Sequence, residues 1–518
     1  MLNKFANALN ETVNNENTLT ENGAVGYKTS GTALVDFNFK MSSYRNLDES
    51  EIIHDFMGVY NEDPMLAVKM VFFTGDIHEG MGERRVFNIC MNWLAVNHPD
   101  IVNKVMHLIP EYNRWDAVVN LFFVKETRDK ALEIISKTIK EDISMMKANS
   151  SISLLAKWMP SINASSHETV GKAHALSRAL KMSFKEYRKM LSALRKHLNV
   201  VEVKMCAKDW GKIDYSAVPS KANLIYKEAF MRNDEKRRKE YLASLEKGET
   251  KINSGVAFPY DIIHKYSEFD YGYIIKKDTT LEEMWKALPD YVNGNGEDTI
   301  CIVDGSGSMG SSVGNTNITC HDVARSLGIY FAEKMTGAFH NQFITFSENP
   351  QLVKFKEEWG LMEKINECIR HDECANTNIE KAFKLILNTA IRHGLTQNDI
   401  PKSILIISDM EFDAYSVDCG DFGRNDFNAY CKTLFENIAD EFKAHGYEMP
   451  KLIFWNVCSR TNTIPVKENE NGVALVSGFS PTIASMVFSK KLDPYSVLVE
   501  KLNSKRYEAI DEIIKSIF

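Results

Sequence analysis

The chain has 518 residues, 44% of them hydrophobic and 25% charged, with a formal net charge of −8. That length calls for two or three domains, and the composition is that of an ordinary globular protein with room for a sizeable core. A uniformly basic coat is excluded, although a local basic patch is not. The nine cysteines form no C-x-x-C pair. Cys368, His371 and Cys374 are close together, but no second ligand pair follows at zinc spacing, so ordinary thiols in a reducing compartment are expected. No apolar run approaches the ~20 residues that a membrane helix needs, and no secretory signal is visible. A soluble, cytoplasmic protein without membrane attachment is expected.

Residues 1–25 are polar and rich in Asn, Thr and Glu, and are expected to form a loose arm. Residues 26–290 carry mostly helical apolar spacing. In "GERRVFNICMNWLAVNHPD", Phe87, Cys90 or Met91, and Leu94 share one face. Pro99 and Asp100 punctuate, and Ile101, Val105 and Leu108 resume the pattern. Pro110 breaks it again before "RWDAVVNLFF". Short helices in series suggest a helical repeat array of the HEAT kind, although no strict period is present. "HEGMGERR" is no metalloprotease motif, because Gly82 stands where the second His belongs. Arg84 and Arg85 read either as phosphate contacts or as a helix-start surface. Trp158, just before Pro160, reads as core, and "RNDEKRRKEY" as an exposed helix of mixed sign.

One stretch is strongly one-signed. From Lys172 to Lys212 there are eleven Lys and Arg against three acids, Glu186, Glu202 and Asp209. Tyr187, Trp210, His174 and His197 are interleaved. Arg178, Lys181, Lys185 and Arg188 or Lys189 follow i, i+3/i+4 spacing and are expected on one helix face, with Arg195 and Lys196 further along. Clustered cations attract phosphates and aromatic faces stack bases; the plain alternative is a solvated basic face.

"YVNGNGEDT" reads as a linker over residues 291–298. Beyond it, over 299–518, the pattern changes. Short, continuously apolar strands are expected at 299–303, 343–346, 403–408, 452–457 and 473–477, with helices between them. That pattern means a mostly parallel sheet covered on both faces.

The first of these strands runs into "TICIVDGSGSMGSSVGNT". Gly305 and Gly310 have phosphate-loop spacing, but Ser311 stands where the lysine must be. A dinucleotide fingerprint needs a helix starting at the glycines, and the helix here starts near Asn317. A metal reading does better. Asp304, Ser306 and Ser308 are hard oxygen ligands, suited to Mg²⁺, and Thr377 in "CANTNIEKAF" and Asp409 in "ILIISDMEFD" offer further oxygens at the ends of later elements. The plain alternative is a polar turn. Glu411 and Asp413 read as solvated loop acids, and His371 as a surface histidine rather than a base.

The D-x-S-x-S set with a distant Thr and a distant Asp resembles the von Willebrand factor A domain and its metal-ion-dependent adhesion site. The resemblance implies one divalent cation, Mg²⁺ or Mn²⁺, held by Asp304, Ser306, Ser308, Thr377 and Asp409, and a binding rather than a catalytic role. A helical array followed by such a domain resembles the Ro/TROVE family. The stretches "IPEYNRWD", "AKWMPS", "SAVPSKAN", "FPYDII" and "FWNV" are similar to a phage and bacterial branch of it. This resemblance implies a non-enzymatic protein that binds single-stranded or structured non-coding RNA through its helical part. The rival expectation is a scaffold whose metal captures a carboxylate of a protein partner. A metal-dependent nuclease would need several carboxylates around the metal, which this hydroxyl-rich set lacks.

Overall fold

The computed structural model describes residues 17–267, 276–296, 298–346, 349–371, 378–414, 434–465, 473–488 and 493–518. The architecture is α plus α/β, with a largely helical half ahead of a mostly parallel sheet. By packing, the chain forms two compact units: Met1–Leu66 with Ala257–Leu502, and Ala67–Val256 with Asn503–Phe518. The expected linear division at 291–298 is therefore not where the packing divides.

The first unit is built on six strands, β3 (Thr299–Asp304), β4 (Gln342–Phe346), β5 (Leu352–Lys354), β6 (Ser403–Ser408), β7 (Lys451–Asn456) and β8 (Val473–Ser477), in the order β5-β4-β3-β6-β7-β8. Only the β4–β5 pair is antiparallel. β3 is buried along its whole length and β6 at every residue after Ser403, as continuous apolar runs in a sheet covered on both faces must be. Helices Cys320–Lys334 and Ile379–His393 cross between strands. A Cβ on Gly328 would lie 2.7 Å from Val303 Cγ2, so glycine lets the first of these helices approach β3 closely.

Two expectations fail here for one reason: the sheet needs more cover than residues 299–518 provide. Val35 and Phe39, on the helix Ala33–Phe39, join the core with Ile302, Ile406 and Phe454. Asn38 donates to the Leu475 carbonyl, and Asn456 to that of Phe39. Residues 17–25 are likewise no loose arm; residues 1–16 lie outside the described residues. β1 (Asn17–Leu19) pairs with β2 (Val25–Tyr27), and Tyr27 exchanges backbone hydrogen bonds with Ile464. The linker residue Val292 is buried, and the Tyr291 N–H donates to the Tyr330 hydroxyl at 2.8 Å.

The second unit is helical, with successive helices packed on their neighbours in the manner of an array. The last segment of the chain belongs to it, contrary to the 299–518 expectation. Asp76 is fully buried and its carboxylate receives Arg506 Nε at 2.8 Å, while Lys69 donates to Asn503. In "RNDEKRRKEY", Arg238 is fully buried rather than exposed. Its guanidinium lies 5.1–5.4 Å from the ring centres of Tyr215, Phe230 and Tyr241, where cation–π attraction offsets lost hydration. Among the described residues no helix is long and apolar enough to cross a membrane.

Candidate functional site

From β3 the chain goes to β4 on one side and later returns to β6 on the other. The crevice between the carboxyl ends of β3 and β6 is thus the topological switch point, where open α/β sheets bind ligands. Asp304 ends β3 and Asp409 directly follows β6, so both carboxylates flank it. Both are buried. Asp304 Oδ1 accepts the Ser306 N–H at 2.9 Å, and Oδ2 accepts the Ser408 hydroxyl at 2.6 Å. The hydroxyls of Ser306 and Ser308 are 3.0 Å apart, and Ser308 also hydrogen-bonds Asp409. Met410 has φ +64°, a left-handed conformation uncommon for a side-chain-bearing residue; its N–H donates to Ser408 Oγ at 2.9 Å.

Burial, followed by the nearby Asp409 charge, pushes the Asp304 carboxyl up to about 7. Burial also raises Asp409, against the pull of Arg460, whose Nη1 lies 3.1 Å from Asp409 Oδ2. Arg460 pairs with Asp409 and not with Asp304, so ionising both carboxylates would leave one buried negative charge unmatched. Carboxylates with clustered hydroxyls form a hard-oxygen donor set, which fits a small divalent cation. Among the described residues no group of three or more His, Cys, Asp or Glu gathers as a metal cluster, so hydroxyls have to complete any shell here. Thr377 lies outside the described residues, as does Cys374.

Glu411 corrects the reading of it as a solvated loop acid. It is fully buried, and its carboxylate accepts the N–H groups of Glu21, Arg460 and Thr461 and the hydroxyls of Ser459 and Thr461, at 2.8–3.1 Å. It clamps the N-terminal hairpin and the loop after β7 beside the crevice. Arg460 in turn donates to Glu21 at 2.6 Å. Ser408 and Arg460 were missed, and Glu411 was misread, because their roles depend on partners up to 439 residues away in sequence. His371 is held by Gln351 at 2.7 Å and Glu367 at 3.3 Å.

The basic stretch divides differently from expectation. Arg178 is on the helix His167–Ala179, Lys181 is in the connection with φ +55°, and the next helix is Phe184–His197. A capping box starts that helix: Ser183 and Glu186 exchange hydrogen bonds at 2.8 and 3.3 Å. The single face from Arg178 to Lys189 is therefore broken. A shorter face survives: Lys185, Arg188, Lys189 and Lys196 are exposed opposite the buried Tyr187, Leu191 and Leu194. Arg195 does not belong to it. Its guanidinium donates to the Ala156 and Met159 carbonyls and the Ser161 hydroxyl at 2.7–2.8 Å, and burial lowers its pKa. Trp158 is half-buried rather than core, with the Arg114 guanidinium 4.0 Å from its ring centre. Arg84 and Arg85 are exposed at the start of the helix Arg84–Asn97.

Comparison with known proteins adds relatives without a described activity. A family model for a domain of unknown function (DUF7788) matches residues 298–509, and a second (DUF2828) matches residues 20–112 and 165–297. The two matches meet at the change of sequence pattern, although the compact units do not divide there. The uncharacterized protein L728 of Acanthamoeba polyphaga mimivirus is 28% identical over 524 residues, covering 93% of this chain and 86% of its own. Among solved structures, the Ro (RSR) protein of Deinococcus radiodurans aligns at 12% identity with a TM-score of 0.36, over 85% of this chain and 91% of that one.

Proposed function

We propose that this chain is a non-catalytic RNA-binding protein of the Ro type. Its helical unit holds RNA phosphates on the exposed face of Phe184–His197. Its sheet unit carries an Mg²⁺ or Mn²⁺ site of the adhesion type, formed by Asp304, Ser306, Ser308, Asp409 and Thr377. One observation carries the RNA reading: four cations, Lys185, Arg188, Lys189 and Lys196, share an exposed helix face that no carboxylate neutralises through an ion pair among the described residues. Such a face attracts a polyanion by releasing its counterions. When bound, the divalent cation supplies a Lewis-acid position for an anionic oxygen. Asp304 and Asp409 contribute the charge that retains it, and the serine hydroxyls contribute neutral oxygens. A second reading is a scaffold that captures an acidic group of a protein partner on that metal. It is favoured by Ser308, which reaches the surface while Asp304, Ser306 and Asp409 are buried.

The test is a titration of labelled single-stranded RNA at several salt concentrations. Changing Lys185, Arg188, Lys189 and Lys196 to Glu should weaken binding strongly and reduce the salt slope by roughly one unit per lost phosphate contact. Asp304→Ala should leave RNA affinity unchanged. Equal affinities and slopes for wild type and the four-site variant would sink the RNA reading and favour the scaffold.

A further inference from the structure

The connection leaving Phe184–His197, together with the helix Ser220–Asn233 and the short helix Leu155–Trp158, encloses a cleft of about 480 Å³ in the helical unit. That is the size of a small-molecule site. Two aromatic rings line it. Trp158 has the Arg114 guanidinium 4.0 Å and the Lys157 ammonium 5.4 Å from its ring centre, and Tyr226 donates its hydroxyl to Glu202 at 3.2 Å. Two aliphatic side chains of the lining are left to water: Leu154 is 53% exposed, and Ile225 is 66% exposed, the most of any large apolar residue described. Two exposed aliphatic side chains at one polar-rimmed mouth offer a small apolar surface that a flat ligand can cover.

The rim indicates what. Lys157, Lys204 and Lys221 line the cleft, against the acids Glu202 and Asp214. Lys204 donates to the Lys212 carbonyl at 2.7 Å. Asp214 accepts the Ser216 hydroxyl at 2.6 Å. Lys196, the last cation of the exposed helix face, is two residues from the cleft wall at Leu198. From Lys185 to Lys196 the helix rises about 16 Å, enough for a few successive phosphates of an extended strand.

We propose that this cleft receives one unpaired nucleobase of an RNA strand whose phosphates lie on the Lys185–Lys196 face. The inference rests on the RNA reading above and deepens it by placing base recognition at a named pocket. Trp158 and Tyr226 supply ring surfaces, Ile225 and Leu154 cover the base edge, and the lysines meet the flanking phosphates. Stacking of this kind works only on bases that are free of a duplex. An acidic amphipathic peptide would need a row of pockets at helical spacing, whereas the cleft is a single compact space.

The test uses the full chain and three labelled RNAs: a single-stranded 12-mer, the same backbone with abasic riboses, and a blunt duplex of equal length. Ile225→Ser is the variant that spares the core, because the side chain is exposed and the change adds no charge beside the phosphates; Trp158→Ala removes the larger ring. Trp158→Ala should weaken the single strand about tenfold, consistent with losing the stacking of one base, and Ile225→Ser should weaken it to a smaller extent, while both leave the abasic affinity and the salt slope unchanged. Wild-type affinity for the 12-mer in both variants would overturn the pocket while leaving the RNA reading intact. Failure of wild type to bind any of the RNAs would overturn that reading itself. Binding of a labelled acidic amphipathic peptide by the wild type, abolished in Ile225→Ser and Trp158→Ala while the 12-mer affinity is unchanged in both, would make the cleft a peptide site and overturn the nucleobase assignment.

Discussion

Asp76 and Asp304 are both buried carboxylates, and the chain treats them in opposite ways. Asp76, in the helical unit, receives Nε and Nη2 of Arg506 at 2.8 and 3.2 Å, the Tyr507 hydroxyl at 3.3 Å and the His78 N–H at 3.0 Å. Its charge is matched by a cation from the same unit. Asp304, in the sheet unit, receives the Ser306 N–H and the hydroxyls of Ser306 and Ser408 but no cation, faces a second buried carboxylate and is pushed up to about 7 by burial and by Asp409. A buried acid with its own cation holds structure together. A buried pair with too little positive charge is a poor stabiliser, which is why the proposed metal is sought there.

That contrast can be broken by removing the matched cation. Arg506→Met strands Asp76 without a counter-charge, and loss of one partner of a buried pair costs about 3 kcal/mol or more. A urea titration reads the loss as a lower midpoint, and an unchanged midpoint would mean that Asp76 does not depend on Arg506. The complementary experiment adds the missing charge. Mg²⁺ at a hundredfold excess over its dissociation constant should stabilise the sheet unit by about 2.7 kcal/mol. In Asp304→Ala the rise in melting temperature with Mg²⁺ should largely disappear; a full response in that variant would rule out the crevice as the metal site. The smallest effect sharpens the same contrast for cations. Arg195 is committed to three acceptors while its neighbour Lys196 is exposed, so Arg195→Met should destabilise the helical unit by about 2 kcal/mol and change RNA affinity less than twofold. A large loss of RNA binding with no loss of stability would return Arg195 to the binding face.

Much of the sheet was legible, because continuous apolar strands have few alternatives. β3, β4, β6, β7 and β8 coincide with the expected runs to within a residue or so at their ends. The D-x-S-x-S spacing was legible for a similar local reason: residues two apart at the end of a strand stay together whatever the rest of the chain does. Glu411 was not, since an acid in a loop becomes buried only when Glu21, Ser459, Arg460 and Thr461 converge on it. Arg238 and Arg195 were misread in the same way. Charge counts alone do not distinguish a cation in water from one held by rings or carbonyls.

The sequence by itself determined the α plus α/β class, the position of the strand-to-loop motif at Asp304, and the presence of a basic segment between Lys172 and Lys212. These follow from local periodicity and from spacing within a few residues. Tertiary structure alone decided which parts of the chain share a core. Val35 and Phe39 cover the sheet, and Arg506 returns to Asp76 across 430 positions. It also decided which of the charges are available. The physical reason is that burial and pairing are properties of neighbours in space, and a side chain's neighbours here come from both ends of the chain.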